Sequence, residues 1–415
     1  MTLPTHARTT LMRSTDALAT AVTTYAIPLL VLVSTGSTVL TGVAFLLEWL
    51  PRLAAFTIGG PLVDRFRADR VFRTANAVRT VLLGAGALAL VLLPQGSAAS
   101  TTAVMTVGAL SGLLAQASFI AIETLGAALS RAAGDRAHRV QSVQIGIDQG
   151  ALLAGPLLGG LLLLAAPAVL LIAVALMALA SALSTTTVPD SNTEPTPSST
   201  IRSVAASLAT GWRTVRGIPA LCWLVTGLIA SNLAVAVVQA SAPITVLHDY
   251  GASSLTLGTL WSTAGVVALA AVAASARLID RHGLWPVGAG AAATACTACF
   301  LTALAPGTAS YAIAIGVLMA GEGALTVVLR TLRARLIPQA VFGGTLSVTI
   351  VLVVAPMPVA GALVAALPAP ALPALLLSCS AAQALAMALA FRGLWRHRAS
   401  YTPLAVPGRP HALTT

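Results

Sequence analysis

Five carboxylates stand inside or at the edge of long apolar runs, where an ionisable group at depth costs about 2.5–3.5 kcal/mol to place. Glu48 lies four residues before Arg52 in Glu48-Trp49-Leu50-Pro51-Arg52, so the two share a helical face. Arg52 can hold Glu48 ionised in one conformation and release it to take up a proton in another, which is a route to proton coupling. A permanent ion pair that only packs helices is the competing reading. Asp16 leads a polar stripe with Thr20, Thr23 and Thr24 at helical spacing; it is fit to line a water-filled cavity or, alternatively, to cap a helix N-terminus. Gln144 and Asp148 share a face with Gln141. Glu322, between Gly321 and Gly323, aligns with Thr326 and Arg330, as a second protonation site or a partner of Arg330. Glu123 falls near the end of its run, where solvation is easier. Arg79 falls near the end of another, where a guanidinium can snorkel. Asn232 and Gln239 on one face, with Gln116 and Trp261, complete the cavity candidates.

The elements that must position these groups follow from composition. Hydrophobic residues make up 57% of the 415 and charged residues only 8%, against roughly 25% charged in a typical soluble domain. So few charges cannot coat a soluble protein of this length, whereas a bilayer span needs only about 20 apolar residues. Such runs occur at 17–35, 39–60, 74–94, 102–123, 141–164, 167–188, 221–246, 254–276, 286–305, 309–329, 342–366 and 369–392. The expected fold is an all-α polytopic membrane protein, with twelve transmembrane helices in two six-helix bundles around a central cavity.

Every basic residue is arginine; the chain has no lysine, and the net charge is +11. The arginines cluster between apolar runs, which points to membrane orientation and contact with anionic lipid, not to nucleic acid. The loops after the odd-numbered runs hold no arginine. Twelve spans put the clusters on one side, and the positive-inside rule makes that side, with both termini, cytoplasmic at the cell membrane. The polar stretch 189–200 reads as a linker. After it, Val204, Leu208, Trp212 and Val215 share a face opposite Arg202, Arg213 and Arg216, as in a helix lying on a membrane surface. The expected divisions are 1–188, the linker with its helix at 189–218, 219–392, and a cytoplasmic tail at 393–415.

Other chemistries find little footing. Cys222, Cys296, Cys299 and Cys379 all sit in apolar runs and read as small hydrophobes, despite the Cys-x-x-Cys spacing of the middle two. The six histidines fall in loops or tails. The sequence has no P-loop, zinc pattern or nucleophile elbow, so neither enzyme activity nor a metal or other cofactor is expected.

The halves repeat. Gly60-Pro61-Leu62-Val63-Asp64-Arg65 follows the second run, and Ala276-Arg277-Leu278-Ile279-Asp280-Arg281-His282-Gly283 follows the eighth. Both contain small-x-Leu-x-Asp-Arg, and the two aspartates are 216 residues apart. Six spans return the chain to the same side, so the repeats are parallel in topology, an architecture that binds substrate between its halves.

In these motifs, and over essentially its whole length, the chain resembles the major facilitator superfamily. The resemblance implies that Gly60, Asp64, Arg65, Arg70, Asp280, Arg281 and Gly283 help latch the cytoplasmic ends of the halves together. Arg67 stands where the family usually has a second glycine, and Ala276 replaces the first in the second half. Gly155-Pro156-Leu157-Leu158-Gly159-Gly160 is similar to the Gly-Pro-x-x-Gly-Gly of the drug–proton antiporters, with Ala151 replacing a glycine of the longer pattern. Gly155, Pro156, Gly159 and Gly160 would let a neighbouring helix approach and would kink their own. The arginine that many family antiporters carry in the fourth span is absent.

The expected function is a monomeric secondary active transporter that exports a small organic molecule by proton antiport, with rocker-type alternating access. The alternatives are a dedicated exporter of a siderophore or other self-made metabolite, an importer, and a membrane sensor or scaffold that does not transport.

Overall fold

The structure is a computed structural model and describes residues 5–94, 96–132, 137–185, 201–338 and 341–398. The linker residues 189–200 and the tail beyond 398 therefore lie outside the described residues. So do the side chains of 56–65, among them those of Asp64 and Arg65, and the side chain of Gln141.

The described chain is helical. The first half contains α1 (Thr5–Thr35), α2 (Thr38–Phe66), α3 (Ala68–Leu92), α4 (Ala98–Ala132), α5 (Ala137–Ala165) and α6 (Pro167–Leu183). The amphipathic α7 (Ile201–Gly217) precedes α8 (Pro219–Pro243), α9 (Ser254–His282), α10 (Leu284–Ala303) and α11 (Thr308–Leu336). The last are α12 (Phe342–Val354), α13 (Pro356–Ala366) and α14 (Leu372–Arg396). Among the described residues, ten helical segments are long and apolar enough to cross a membrane, and α6 is apolar but shorter. The run at 342–366 is two helices, α12 and α13, broken at Ala355 before Pro356; proline lacks the amide that would continue the ladder.

Local chemistry sets the helix ends. Gly36 and Gly251 turn with positive φ just before Ser37 and Ser253, whose hydroxyls accept from Leu40 N and Thr256 N at 3.2 and 3.1 Å. These are N-caps that satisfy amides left free at a helix start. The repeated motif ends alike in both halves. Arg67 separates α2 from α3 at φ 68°, and Gly283 separates α9 from α10 at φ 85°. Each stands three residues after its aspartate. Glycine takes that conformation freely, while a side chain there costs about 1–2 kcal/mol. Gly283→Ala is therefore expected to destabilise the protein by about 1 kcal/mol in thermal unfolding, whereas Arg67→Gly would relieve its turn but also lose the ion pair from Arg67 to buried Asp69. Equal stability of Gly283→Ala and wild type would show that the turn does not require glycine.

Helices α1–α6 pack on one another, as do α8–α14. The amphipathic α7 packs against α12 and α8, with Val215 buried. Its apolar face, expected on a membrane surface, thus partly covers protein. Trp212 remains exposed and lies under the Arg216 guanidinium, 4.6 Å from its ring centre. The halves meet mainly where α5 packs on α9 and α2 on α13.

Candidate functional site

Glycines let the halves touch backbone to backbone near the arginine-free loops. A Cβ on Gly42 would fall 2.5 Å from Ala365 N, and one on Gly361 would fall 2.6 Å from Leu46 N. Only bare backbone permits that approach between α2 and α13. Across the other contact a Cβ on Gly160 would fall 2.5 Å from the Ser254 carbonyl oxygen. Ser254 Oγ donates to the Gly160 carbonyl at 3.1 Å, and the Tyr25 hydroxyl donates to the Ser254 carbonyl at 3.3 Å. Gly155 and Gly159 face Ala21 and Tyr25 of α1. The Gly-Pro segment thus joins α5 to α1 within its half and to α9 across the halves. Toward the arginine-rich end the halves part: α2 barely touches α12, and Asp280 and Arg281 are exposed.

Between the halves lies a cavity of about 510 Å³. Its charged wall comes from the first half, with Arg13, Asp16, Arg52 and Asp148. The second half contributes Gln239, Pro243, Trp261 and Met319, none of them charged. Tyr25, Pro28, Phe45 and Trp49 add apolar and aromatic surface. The cavity therefore carries its charged groups on one side, opposite a mostly apolar face.

Three buried arginines organise the charged wall. Arg52 donates to Glu48 at 2.8 Å and to the Thr24 hydroxyl at 2.7 Å, and lies 4.8 Å from the Trp49 ring centre. Glu48 is fully buried behind it. Arg13 bridges two helices, reaching Glu123 of α4 at 2.5 Å and Asp148 of α5 at 2.5 and 3.0 Å. Arg79 is fully buried; it reaches Asp16 at 3.4 Å, Thr20 at 3.3 Å and Ser111 at 3.3 Å. Asp16 also accepts from Ser118 Oγ at 2.9 Å, which in turn accepts from Asn76 at 2.8 Å. Buried charges persist when paired and hydrogen-bonded; each of these guanidiniums has a carboxylate partner, and each also keeps one buried nitrogen without a partner, Arg13 Nη1, Arg52 Nε and Arg79 Nη2.

The sequence candidates fall into distinct places. Thr20, Thr24, Gln239 and Trp261 line the cavity together with Asp16, Arg52 and Asp148. Gln116, Gln144 and Asn232 are not among its lining residues: Gln144 packs on Gly126 of α4 and Asn232 donates to Leu228 O of its own helix. Glu322 accepts from Ser231 Oγ at 2.5 Å, and Gln383 donates to the same hydroxyl at 2.9 Å. Arg330 is exposed, so the alignment of Glu322 with Arg330 does not become a contact. Of the latch set, Arg70 is exposed and Gly283 forms the turn already described, while Gly60, Asp64 and Arg65 sit in the last two turns of α2.

Two expectations are corrected. Asp16 caps no helix, because α1 begins at Thr5 and the aspartate is interior and buried. Arg79 does not snorkel; packing of α3 against α4 encloses it, and Asp16 answers its charge.

The sequence profile of the Major Facilitator Superfamily matches residues 9–350, most of the chain. The chain belongs to the major facilitator superfamily. No curated protein matches this facilitator in sequence closely enough to mark a relative. Among solved structures it is similar to a bacterial homologue of the iron transporter ferroportin in an inward-facing state, at TM-score 0.74 and 17% identity over 94% of this chain and 98% of that one. The outward-facing structure described in the same words gives TM-score 0.60 at 16% identity, over 95% and 100%. The xylose transporter XylE from E. coli, in an inward open conformation, gives 0.69 at 15% identity over 93% and 95%. These likenesses establish the facilitator fold. Among its described residues no group of three histidines, cysteines or acids is placed to hold a metal ion.

Sequence reasoning passed over Arg13 and Arg79 in this facilitator as site residues. One signal was available for Arg79: Asn76, Arg79 and Thr80 put several polar groups within five residues of an apolar run.

Proposed function

We propose that this facilitator is a secondary active transporter that exports a small organic molecule in exchange for protons. The observation that carries the reading is the cavity between the halves, sealed near the arginine-free loops and walled on one side by buried ion pairs. In this reading α12 and α13 form one broken span, and with α1–α6, α8–α11 and α14 they make twelve, in two bundles of six. The arginine-rich end and both termini are cytoplasmic, and the cavity opens to the cytoplasm. The greater likeness to an inward-facing neighbour than to an outward-facing one supports that assignment.

The coupling group is Glu48, with Arg52 as its cavity-facing partner. Asp16, Asp148 and Glu322 are the next candidates, and Asp64 with Asp280 belongs to the cytoplasmic latch. The Gly-Pro segment of α5, placed at the contact between halves, supports the drug–proton antiporter branch. Proteoliposomes with an imposed proton gradient test the function. Counterflow of protons and a labelled organic substrate is expected, and a panel of amphipathic compounds that yields none, with the protein folded and correctly inserted, would reject it. Orientation is tested separately by labelling a cysteine placed at residue 195: an impermeant reagent should reach it only from the cytoplasmic side. Labelling from outside intact cells would reverse the assignment.

A further inference from the structure

We propose that a second cleft, outside the central cavity, binds one anionic phospholipid of the leaflet at the arginine-rich end. Helices α2 and α3 both pack firmly on α4 but scarcely on each other. A cleft of about 370 Å³ runs along α3 and α4 beside this parting, and Phe66 is its described lining residue from α2. Phe66 and Arg70 stand at its mouth, Thr74 and Val78 run along α3, and Leu114 and Ala117 of α4 form its floor. Arg70, Thr74 and Val78 are spaced by four residues, so they form one row of about 12 Å along the helix. That row passes from a guanidinium through a hydroxyl to an aliphatic side chain. A phospholipid standing in its leaflet has the same order, from phosphate through glycerol esters to acyl chain.

The charge at the mouth selects the headgroup. Arg67, Arg70 and Arg73 fall within seven residues. Asp69 is the acid among the described side chains there, and it is buried and held by Arg67 at 3.2 Å. Asp69 therefore leaves Arg70 and Arg73, both exposed, free to attract a phosphate. A zwitterionic lipid would bring a cationic headgroup to this basic mouth, where no acid among the described side chains is exposed to receive it. Basic pockets between transmembrane helices on the cytoplasmic side are a known kind of anionic-headgroup site, and this cleft adds an apolar slot directly beneath its arginine.

Thermal unfolding of the full chain in mild detergent tests the site, with phosphatidylglycerol or phosphatidylcholine of the same acyl chains added. Phosphatidylglycerol is expected to raise the unfolding temperature by about 3 °C more than phosphatidylcholine. Arg70→Gln should remove most of that difference, and Val78→Trp, which fills the slot, should do the same. Arg277→Gln, at the arginine-rich end of α9, should preserve it. Native mass spectrometry provides a second readout: one phosphatidylglycerol retained by the wild type, with retention about tenfold weaker in Arg70→Gln. Arg70 is exposed, so its variant carries the test even if Val78→Trp does not fold. Equal shifts from the two lipids, an undiminished preference in a folded cleft variant, or an equal loss in Arg277→Gln would overturn the site in favour of a diffuse charge effect.

Discussion

Gly42→Leu is expected to keep the protein folded while lowering transport about a hundredfold. The Cβ alone would sit 2.5 Å from Ala365 N and 2.8 Å from the Gly361 carbonyl oxygen. These are backbone atoms, which cannot rotate away as a flexible side chain can. The overlap costs about 3 kcal/mol, but only in the state where α2 and α13 touch. Each half keeps its own core, so the cost falls on the balance between states and spares folding. A population shifted by about 3 kcal/mol changes about a hundredfold, and a cycle that must visit both states slows accordingly. Initial flux in proteoliposomes measures the effect. Thr24→Cys in the Gly42→Leu background reports the cause, because the cavity should then become labelled from the arginine-free side. Gly84→Ala is the control: a Cβ there meets nothing within 4 Å, and transport should be unchanged. Normal flux in Gly42→Leu would mean that the α2–α13 contact does not seal the cavity.

Glu48→Gln is expected to abolish uphill transport while sparing downhill exchange. Glutamine neither binds nor releases a proton, but its amide oxygen can still accept from Arg52. Thr24 and the Trp49 ring continue to support the guanidinium, which limits the destabilisation. A pair that served packing alone would behave in the opposite way. Losing one partner of a buried ion pair costs about 3–5 kcal/mol, so stability would fall and coupling would survive in whatever folded. Thermal unfolding and proton-driven flux on the same variant separate the two. A stable Glu48→Gln protein that still concentrates substrate would exclude Glu48 and transfer the role to Asp16, Asp148 or Glu322.

The readable part of this site was the local part. Glu48 and Arg52 are one helical turn apart, and four-residue spacing fixes such a pair before any tertiary structure exists. Arg13 pairs with residues 110 and 135 positions away, and Arg79 with one 63 positions away. Those contacts come from the packing of α1 against α4 and α5 and of α3 against α4, which a single chain of apolar runs does not encode. For the same reason the polar stripe of α1 was legible but its partners were not, and three cavity candidates on other helices, Gln116, Gln144 and Asn232, are not among the residues that line the cavity. The repeat was legible down to one residue: Asp64 and Asp280 marked matching turns, and both turns adopt positive φ three residues on. The glycine-like conformation of Arg67 was signalled only indirectly, by the glycine that the family motif usually has there and by Gly283 in the second half. The break at Pro356 was visible as a proline, but its outcome, two helices that pack on different neighbours, depended on α7 and α2.

The contacts that seal the arginine-free end have one further property. Gly42, Leu46, Gly361 and Ala365 meet on one side and Tyr25, Gly160, Ser254 and Gly258 on the other, without a formal charge among them. A membrane potential does work only on charge carried through its field, about 2.3 kcal/mol per elementary charge per 100 mV. Parting this seal carries none, and Arg52–Glu48 and Arg79–Asp16 travel as neutral units while they stay paired, whereas Arg13 with Glu123 and Asp148 keeps one net negative charge. Voltage therefore acts on the protein through such charged groups, or where a pair breaks or a carboxyl changes its proton, and the parting of the seal itself adds nothing to the electrical sensitivity of the cycle.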